Sequence, residues 1–323
     1  MSQQKIVVCG AGFLGKHIAR NLASPYKKTG DRIVQISSRN PEPLLRTLGR
    51  DLPEVSSKLR AVPLDITKPA TLAPAFEGAH TVISLVGVLH GTPSHFEAVQ
   101  WRGAENVAKA AKEAGARLIH FSAIGADPSS DIPYAWSKGL GEAGVRSVHP
   151  DATIIRPSLV FGPEDEFFNR LAKLSKYLPF LPVFGGGLSK FQPIYVDDIA
   201  RAVEVMCRCD PEVEQLVSGK IMEAGGPRVL TYRELMETVL KYTYRRRPIV
   251  SLPFWVGMLQ ASMLERLPNN LFTITRDQVK QLRLDNVVNT NFGPNEISFE
   301  IFLRKRCFQG LTPLYGILPA YLE

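Results

Sequence analysis

The chain has 323 residues, 45% hydrophobic and 22% charged, which is ordinary globular composition with enough length for a large core and a second lobe. Its net charge is +8, with no interleaved aromatic and basic module of the kind that grips nucleic acid; nucleic acid is set aside, and the excess reads as a solvated basic face or one turned to an anionic partner. No apolar run reaches membrane-spanning length, no presequence is legible, and Cys9, Cys207, Cys209 and Cys307 lack metal-ligand spacing, so they read as reduced thiols and no metal is expected.

Lys5 to Cys9 is a β-branched run that predicts a buried strand. It breaks at Gly10-Ala11-Gly12-Phe13-Leu14-Gly15 and restarts with helical spacing at Phe13, Leu14, Ile18 and Leu22. In this G-x-G-x-x-G pattern Gly10 permits the tight turn. Gly12 lets the backbone approach a pyrophosphate, and Gly15 lets helix and strand pack closely. The unpaired N–H groups of the new helix, with Phe13 and Leu14 in its first turn, then face the phosphates.

Strand two, 31–36, ends at Ser37-Ser38-Arg39. An NAD-selective site carries an acid here for the ribose hydroxyls. Ser38 and Arg39 instead offer a hydroxyl and a guanidinium that pairs with a 2′-phosphate, so NADP(H) is expected over NAD(H). Strand three, 59–64, leads into Asp65 and Ile66. The Asp65 carboxylate either accepts from an adenine amino group or caps the turn through Thr67, and the sequence does not choose. Strand four, 81–87, is apolar throughout, as a central parallel strand should be, and its end at Val86 and Gly87 allows close approach of a cofactor. A loop over 88–95 and a helix over 96–115, carrying Asn106, lead to strand five (118–121) and Ser122. A helix carrying Tyr134 follows, then strand six (153–155), ending at Arg156-Pro157-Ser158.

This alternation predicts an α/β fold, a doubly wound parallel Rossmann sheet with a smaller C-terminal lobe. Right-handed crossovers align the carboxyl ends of strands one, four, five and six along one crevice. The expected division is a dinucleotide-binding domain over 1–160, rejoined by about 191–210, and a lobe and tail over 161–190 and 211–323. Within the lobe the pattern predicts helices over 166–177, 254–267 and 275–282. It also predicts a helix opened by the Thr231-x-x-Glu234 capping box and, in the stretch that rejoins the first domain, one continuous strand over 191–196. The segment 245–267 joins Arg245-Arg246-Arg247 to an apolar, aromatic helix. It either lies peripherally on an anionic membrane or forms the core of the small lobe beside a solvated basic turn.

Tyr134-Ala135-Trp136-Ser137-Lys138 places a phenol and an ammonium at i and i+4 on one helix face. A cation near a phenol favours phenolate, which suits Tyr134 to acid–base work. Ser122 could complete the set by donating to a carbonyl or hydroxyl oxygen. Tyr134, Lys138 and Ser122 are therefore the candidate catalytic residues.

Together, Gly10-x-Gly12-x-x-Gly15 and Tyr134-x-x-x-Lys138 resemble the short-chain dehydrogenase/reductase superfamily in its extended or atypical, epimerase/dehydratase-like form. The resemblance implies pyrophosphate contact at the three glycines, 2′-phosphate contact at Arg39 and adenine contact at Asp65. It makes Tyr134 the acid–base, has Lys138 hold the nicotinamide ribose and puts Pro157 near the nicotinamide. More narrowly, Phe121 to Asp127, Arg156 to Asp165, Tyr195 to Ala200, Glu223 to Pro227 and Asp285 to Val288 resemble one atypical branch. That branch holds the nucleotide-binding accessory subunit of respiratory complex I and a fungal protein associated with the coenzyme Q biosynthetic complex. It implies a mitochondrial location at the matrix side of the inner membrane. The expected partner is then a respiratory or coenzyme Q biosynthetic complex, and the nucleotide need not turn over. With no presequence legible, a cytosolic site stays open. The competing expectation is an active, soluble NADPH-dependent reductase, epimerase or dehydratase using Tyr134 and Lys138.

Overall fold

A computed structural model describes residues 4–24, 32–265 and 271–322. In chain order the main elements begin β1 (Gln4–Cys9), α1 (Phe13–Ala23), β2 (Arg32–Ser38), α2 (Glu42–Asp51), β3 (Leu59–Pro63), α3 (Leu72–Phe76) and β4 (Thr81–Ser84). They continue with α4 (Pro93–Phe96), α5 (Gly103–Glu113), β5 (Arg117–Phe121), α6 (Pro133–Val148), β6 (Thr153–Pro157), β7 (Val160–Phe161), α7 (Glu166–Tyr177) and β8 (Leu181–Phe184). Next come β9 (Lys190–Phe191), β10 (Ile194–Tyr195), α8 (Val196–Met206), α9 (Pro211–Val217), β11 (Ile221–Ala224), β12 (Leu230–Thr231) and α10 (Tyr232–Tyr242). The last are β13 (Ile249–Leu252), α11 (Phe254–Leu264), α12 (Arg276–Gln281) and α13 (Phe299–Cys307).

The chain divides into two compact units. The larger takes residues 1–157, 196–224 and 290–310, so the 211–224 and 290–310 stretches of the expected lobe lie in it. Its seven-stranded sheet runs β11-β6-β5-β4-β1-β2-β3, and every pairing is parallel. The strand order reverses between β1 and β4, which is where a doubly wound sheet opens its ligand crevice. Val7, Cys9, Val82, Leu118 and Ile154 are buried from the sheet against Val107, Ala108 and Ala111 of α5 and Val145 of α6. Small side chains on α5 let the helix settle close to the sheet. The tail covers the free edge of β11: Ile221 N donates to Asn295 O at 2.8 Å, and Ile297 N donates to Ile221 O at 3.0 Å. That pairing removes an exposed strand edge, and α13 then packs on α8.

The smaller unit takes residues 158–195, 225–289 and 311–323. Its core gathers Phe161, Phe168, Leu171, Val183, Leu235, Met236 and Val239. The single strand expected over 191–196 is two short pieces. β9 pairs antiparallel with β12 and β10 pairs parallel with β7. Pro193, which has no N–H to donate, lies between them. The capping box at Thr231 and Glu234 forms as expected, and Thr275 with Gln278 forms a second. Arg245 and Arg247 are drawn inward. They donate to the carbonyls of Ala172 and Ser175 at 2.9 and 3.1 Å, at the C-terminal end of α7, where unpaired carbonyls and the helix dipole favour cations. Arg246 stays exposed.

Candidate nucleotide and proton-transfer site

The first part of the site is the turn between β1 and α1. Gly10 adopts φ +134°, a conformation that side chains rarely take. Its N–H donates to Ser37 O at 2.8 Å, tying the turn to the end of β2. A Cβ on Gly15 would fall 1.9 Å from the Gly10 carbonyl oxygen, so this position accepts only glycine. A Cβ on Gly12 would meet nothing within 4 Å, which leaves open space at the helix entrance. Gly12 is the N-cap of α1 with no side-chain cap, and the first turn, opened by Phe13 and Leu14, has no acid. The helix therefore presents uncapped N–H groups and its positive end beside a cleared backbone, which fits an anionic diphosphate.

The second part is at the ends of β2 and β3. Ser38 O accepts from Leu64 N at 2.9 Å. Arg39 is exposed. Asp65 Oδ1 accepts from Thr67 N at 3.0 Å and from Thr67 Oγ1 at 2.8 Å. The Thr67 hydroxyl, then its N–H, and more weakly the charges of Lys68 and Arg39 hold the Asp65 carboxyl below the usual range. One oxygen of Asp65 thus caps the local turn. Asn106 Nδ2 donates to Ile66 O at 2.9 Å and pins this loop to α5. Ile66 is buried, and a Cβ on Gly103 would fall 2.6 Å from its Cδ1.

The third part gathers around Lys138. Its Nζ donates to Phe121 O at 3.1 Å, at the end of β5. It also lies 3.2 Å from where a Cβ on Gly87 would sit, and Val86 precedes that glycine as a half-buried neighbour. Burial pushes the Lys138 ammonium down to about 8, opposed in part by the charge of Glu142. The Tyr134 ring meets Phe96 edge-on at 6.3 Å, and burial pushes its phenol up to about 12. The expected lowering of Tyr134 by Lys138 is absent, because desolvation dominates. No hydrogen bond links Tyr134, Lys138 and Ser122 to one another; Ser122 Oγ is buried with no partner. His120 is pushed down to about 3 by burial and then by the Lys138 charge, so it is neutral. Pro157 closes β6, and its carbonyl accepts from Ile124 N at 3.1 Å.

Gln100 belongs to this group, and periodicity did not reveal it. Residues Glu97–Arg102 form a π-helical turn between α4 and α5, a distortion that is rare and concentrated at functional sites. The turn buries Gln100, whose Nε2 donates to Ser137 Oγ at 3.1 Å. Its Oε1 has no partner and lies 3.3 Å from the Cβ position of Gly87. An isolated glutamine in an otherwise apolar helix face was the available signal. Two buried, unpaired oxygens, on Ser122 and Gln100, and a cleared glycine cradle fit a nicotinamide dinucleotide. Among the described residues no cluster of three or more His, Cys, Asp or Glu is placed to hold a metal ion.

Comparison with known proteins shows the fold and the family. NADH dehydrogenase (ubiquinone) 1 alpha subcomplex subunit 9, mitochondrial, of Arabidopsis thaliana is 32% identical over 293 residues, 87% of this chain and 69% of that protein. Ceramide reductase of Caulobacter vibrioides is 34% identical over 205 residues, 63% of this chain and 61% of that protein. The fold is shared with DesIV, a dTDP-glucose 4,6-dehydratase from Streptomyces venezuelae solved with NAD and TYD bound. There the TM-score is 0.68 and the identity 20%, covering 99% of this chain and 96% of the other. The NAD dependent epimerase/dehydratase family model matches residues 6–217, the stretch that carries the glycine turn, Tyr134 and Lys138. The chain belongs to the NAD dependent epimerase/dehydratase family.

Proposed function

We propose that the chain is an NADP(H)-binding, short-chain dehydrogenase-like protein at the matrix face of the mitochondrial inner membrane. It serves ubiquinone metabolism, either within coenzyme Q biosynthesis or as an accessory or assembly protein of complex I. The observation that carries this reading is an asymmetry. The nucleotide cradle is complete, with Gly12 open and Gly15 packed, whereas Tyr134, Lys138 and Ser122 are not wired to one another. A site built this way holds a nucleotide as a structural or sensing ligand. The exposed Arg39 supports NADP(H) over NAD(H). The subunit 9 relative, mitochondrial by name, supports the location and a respiratory partner.

A second reading, an active reductase, is favoured by the unpaired Ser122 Oγ and by the relative named ceramide reductase. The glycine turn, Arg39, Asp65 and Lys138 would hold the dinucleotide, and a bound nicotinamide supplies or takes up the hydride. Ser122 Oγ would donate to the substrate carbonyl oxygen. Tyr134 would pass its proton to that oxygen as charge develops. A phenol held near 12 is protonated at neutral pH, which suits a donor.

The deciding experiment is cofactor content and exchange. The protein is purified without added nucleotide, the bound nucleotide is released and identified, and its replacement by labelled NADPH is timed. Near-stoichiometric NADPH that scarcely exchanges supports the first reading. A rapidly exchanging site, with a turnover that Tyr134→Phe abolishes while binding persists, supports the second and overturns the first.

A further inference from the structure

α11 violates the usual economy of an apolar helix. Its sequence, Phe254 to Leu264, has no charged residue and only Gln260 and Ser262 as polar side chains. A helix that is apolar all round is normally buried on every side. Here only the two smallest residues, Gly257 and Ala261, are buried. A Cβ on Gly257 would fall 2.7 Å from the Phe184 ring, so close packing against β8 is what selects the small face. Phe254 and Met258 flank that face, half-buried against Phe184 and Ala261, and three large side chains project the other way. Trp255, Leu259 and Met263 are 67%, 53% and 63% exposed, and their i, i+4, i+8 spacing sets them in one line. The line is about 12 Å long at 1.5 Å per residue.

Charge identifies what covers it. Nothing acidic lies on α11, and Glu265, which follows it, is held by the backbone N–H and the guanidinium of Arg276 at 2.6 and 2.8 Å. The Arg283 guanidinium sits 4.7 Å from the Phe254 ring, at the N-terminal end of the stripe. The smaller unit also carries most of the chain's net positive charge. A narrow exposed apolar line with tryptophan at one end and a guanidinium near that end suits the boundary between headgroups and acyl chains, where tryptophan and cationic side chains are favoured. One row of three side chains is too small for a stable protein interface, which needs about 800 Å² on each partner. A helix of 11 residues is about 16 Å long, and a bilayer core is about 30 Å thick, so α11 lies in the surface and does not cross it.

We infer that α11 is a peripheral membrane anchor that inserts Trp255, Leu259 and Met263 into the face of a bilayer rich in anionic phospholipid. The inference deepens the membrane-side reading above and rests on it for the choice of membrane, but it is carried by a helix of the smaller unit that holds no residue of the nucleotide cradle.

The test is co-sedimentation of the full chain with vesicles of phosphatidylcholine and cardiolipin, four parts to one, against pure phosphatidylcholine. The wild-type protein should pellet with the mixed vesicles and much less with the neutral ones, and added salt should release it. The Leu259→Gln, Met263→Gln pair combined with Trp255→Ala should lower partitioning about tenfold or more. Because all three residues are exposed, the variant should keep its thermal midpoint and its nucleotide content. A second measurement stands independent of that variant. Brominated lipid should quench part of the wild-type tryptophan emission, and Trp255→Phe should remove the quenched part. No vesicle binding by the wild-type chain overturns the inference. So does equal binding by the variant, or the absence of quenching at Trp255. If the same substitutions abolish a concentration-dependent dimer in a chain that ignores vesicles, the stripe joins two copies and the lipid assignment is wrong. Nucleotide content read on the same samples reports on the proposed function separately: a wild-type chain that holds NADPH but does not bind vesicles refutes only the anchor, and one that binds vesicles without bound NADPH refutes only the nucleotide reading.

Discussion

Lys138 is buried as an ammonium at neutral pH, and the cost of that burial has a pH signature. Burial lowers it from 10.5 to about 8 in the native protein. Between about pH 8 and 10.5 the unfolded chain binds a proton that the native state releases, so this group makes stability rise with pH across that window. Below pH 8 both states hold the proton and the penalty is constant. The gap between 10.5 and about 8 corresponds to about 3 kcal/mol. Lys138→Met removes that penalty but also the bond to Phe121 O, worth about 1 kcal/mol. The nucleotide-free variant should therefore be about 2 kcal/mol more stable than wild type at pH 7, and the advantage should shrink steadily from pH 8 to 10.5. Trp101 and Trp136 pack at 5.8 Å within the larger unit. Their fluorescence on a Trp255→Phe background follows urea unfolding of that unit alone. A variant less stable than wild type at pH 7, or two stability profiles that stay parallel from pH 8 to 10.5, would refute the reasoning. A stabilised variant should hold NADPH less tightly, the usual exchange of stability for function at a buried charged site.

His120 gives the opposite edge of the pH range. With a native value of about 3 against 6.5, its contribution is lost as pH falls from 6.5 towards 3, by up to about 5 kcal/mol, and His120→Gln should move acid unfolding of the larger unit to lower pH. The last two glycines of the turn should separate folding from binding. Gly15→Ala, with its Cβ 1.9 Å from Gly10 O, should cost about 1–3 kcal/mol or more in a thermal melt. Gly12→Ala enters open space and should leave the melt within a few tenths of a kcal/mol, yet weaken NADPH about tenfold or more by titration calorimetry. Arg39→Glu should lower the preference for NADPH over NADH about tenfold to a hundredfold, the worth of a charged hydrogen bond, measured as the ratio of the two dissociation constants.

Much of the nucleotide side of the site was legible because its logic is local. At Gly15 a Cβ would strike the carbonyl of Gly10 five residues earlier, and strand–helix alternation leaves few topologies for the sheet. The capping box at Thr231 is equally local and formed as read. The features that the sequence left open depend on distant partners. Asp65 could face adenine or its own turn; the fold commits one oxygen to Thr67. Gln100 was hidden because a π-helical turn shifts the register that periodicity assumes, and its unpaired oxygen faces a glycine from another strand end. Tyr134 and Lys138 were found by spacing, but the balance between charge attraction and desolvation is set by how deeply the fold buries each, and burial prevails. The run Arg245-Arg246-Arg247 read either as a membrane-facing cluster or as a solvated basic turn, yet two of its members pair with carbonyls at the end of α7, about 70 residues earlier. On α11, composition established the apolarity of the helix, and only the tertiary structure, by seating Gly257 and Ala261 inward, decided that Trp255, Leu259 and Met263 face out. Periodicity and turn sterics are properties of neighbouring residues, so the sequence determined them. Desolvation and exposure depend on what the rest of the chain brings alongside, so only the folded molecule could decide them.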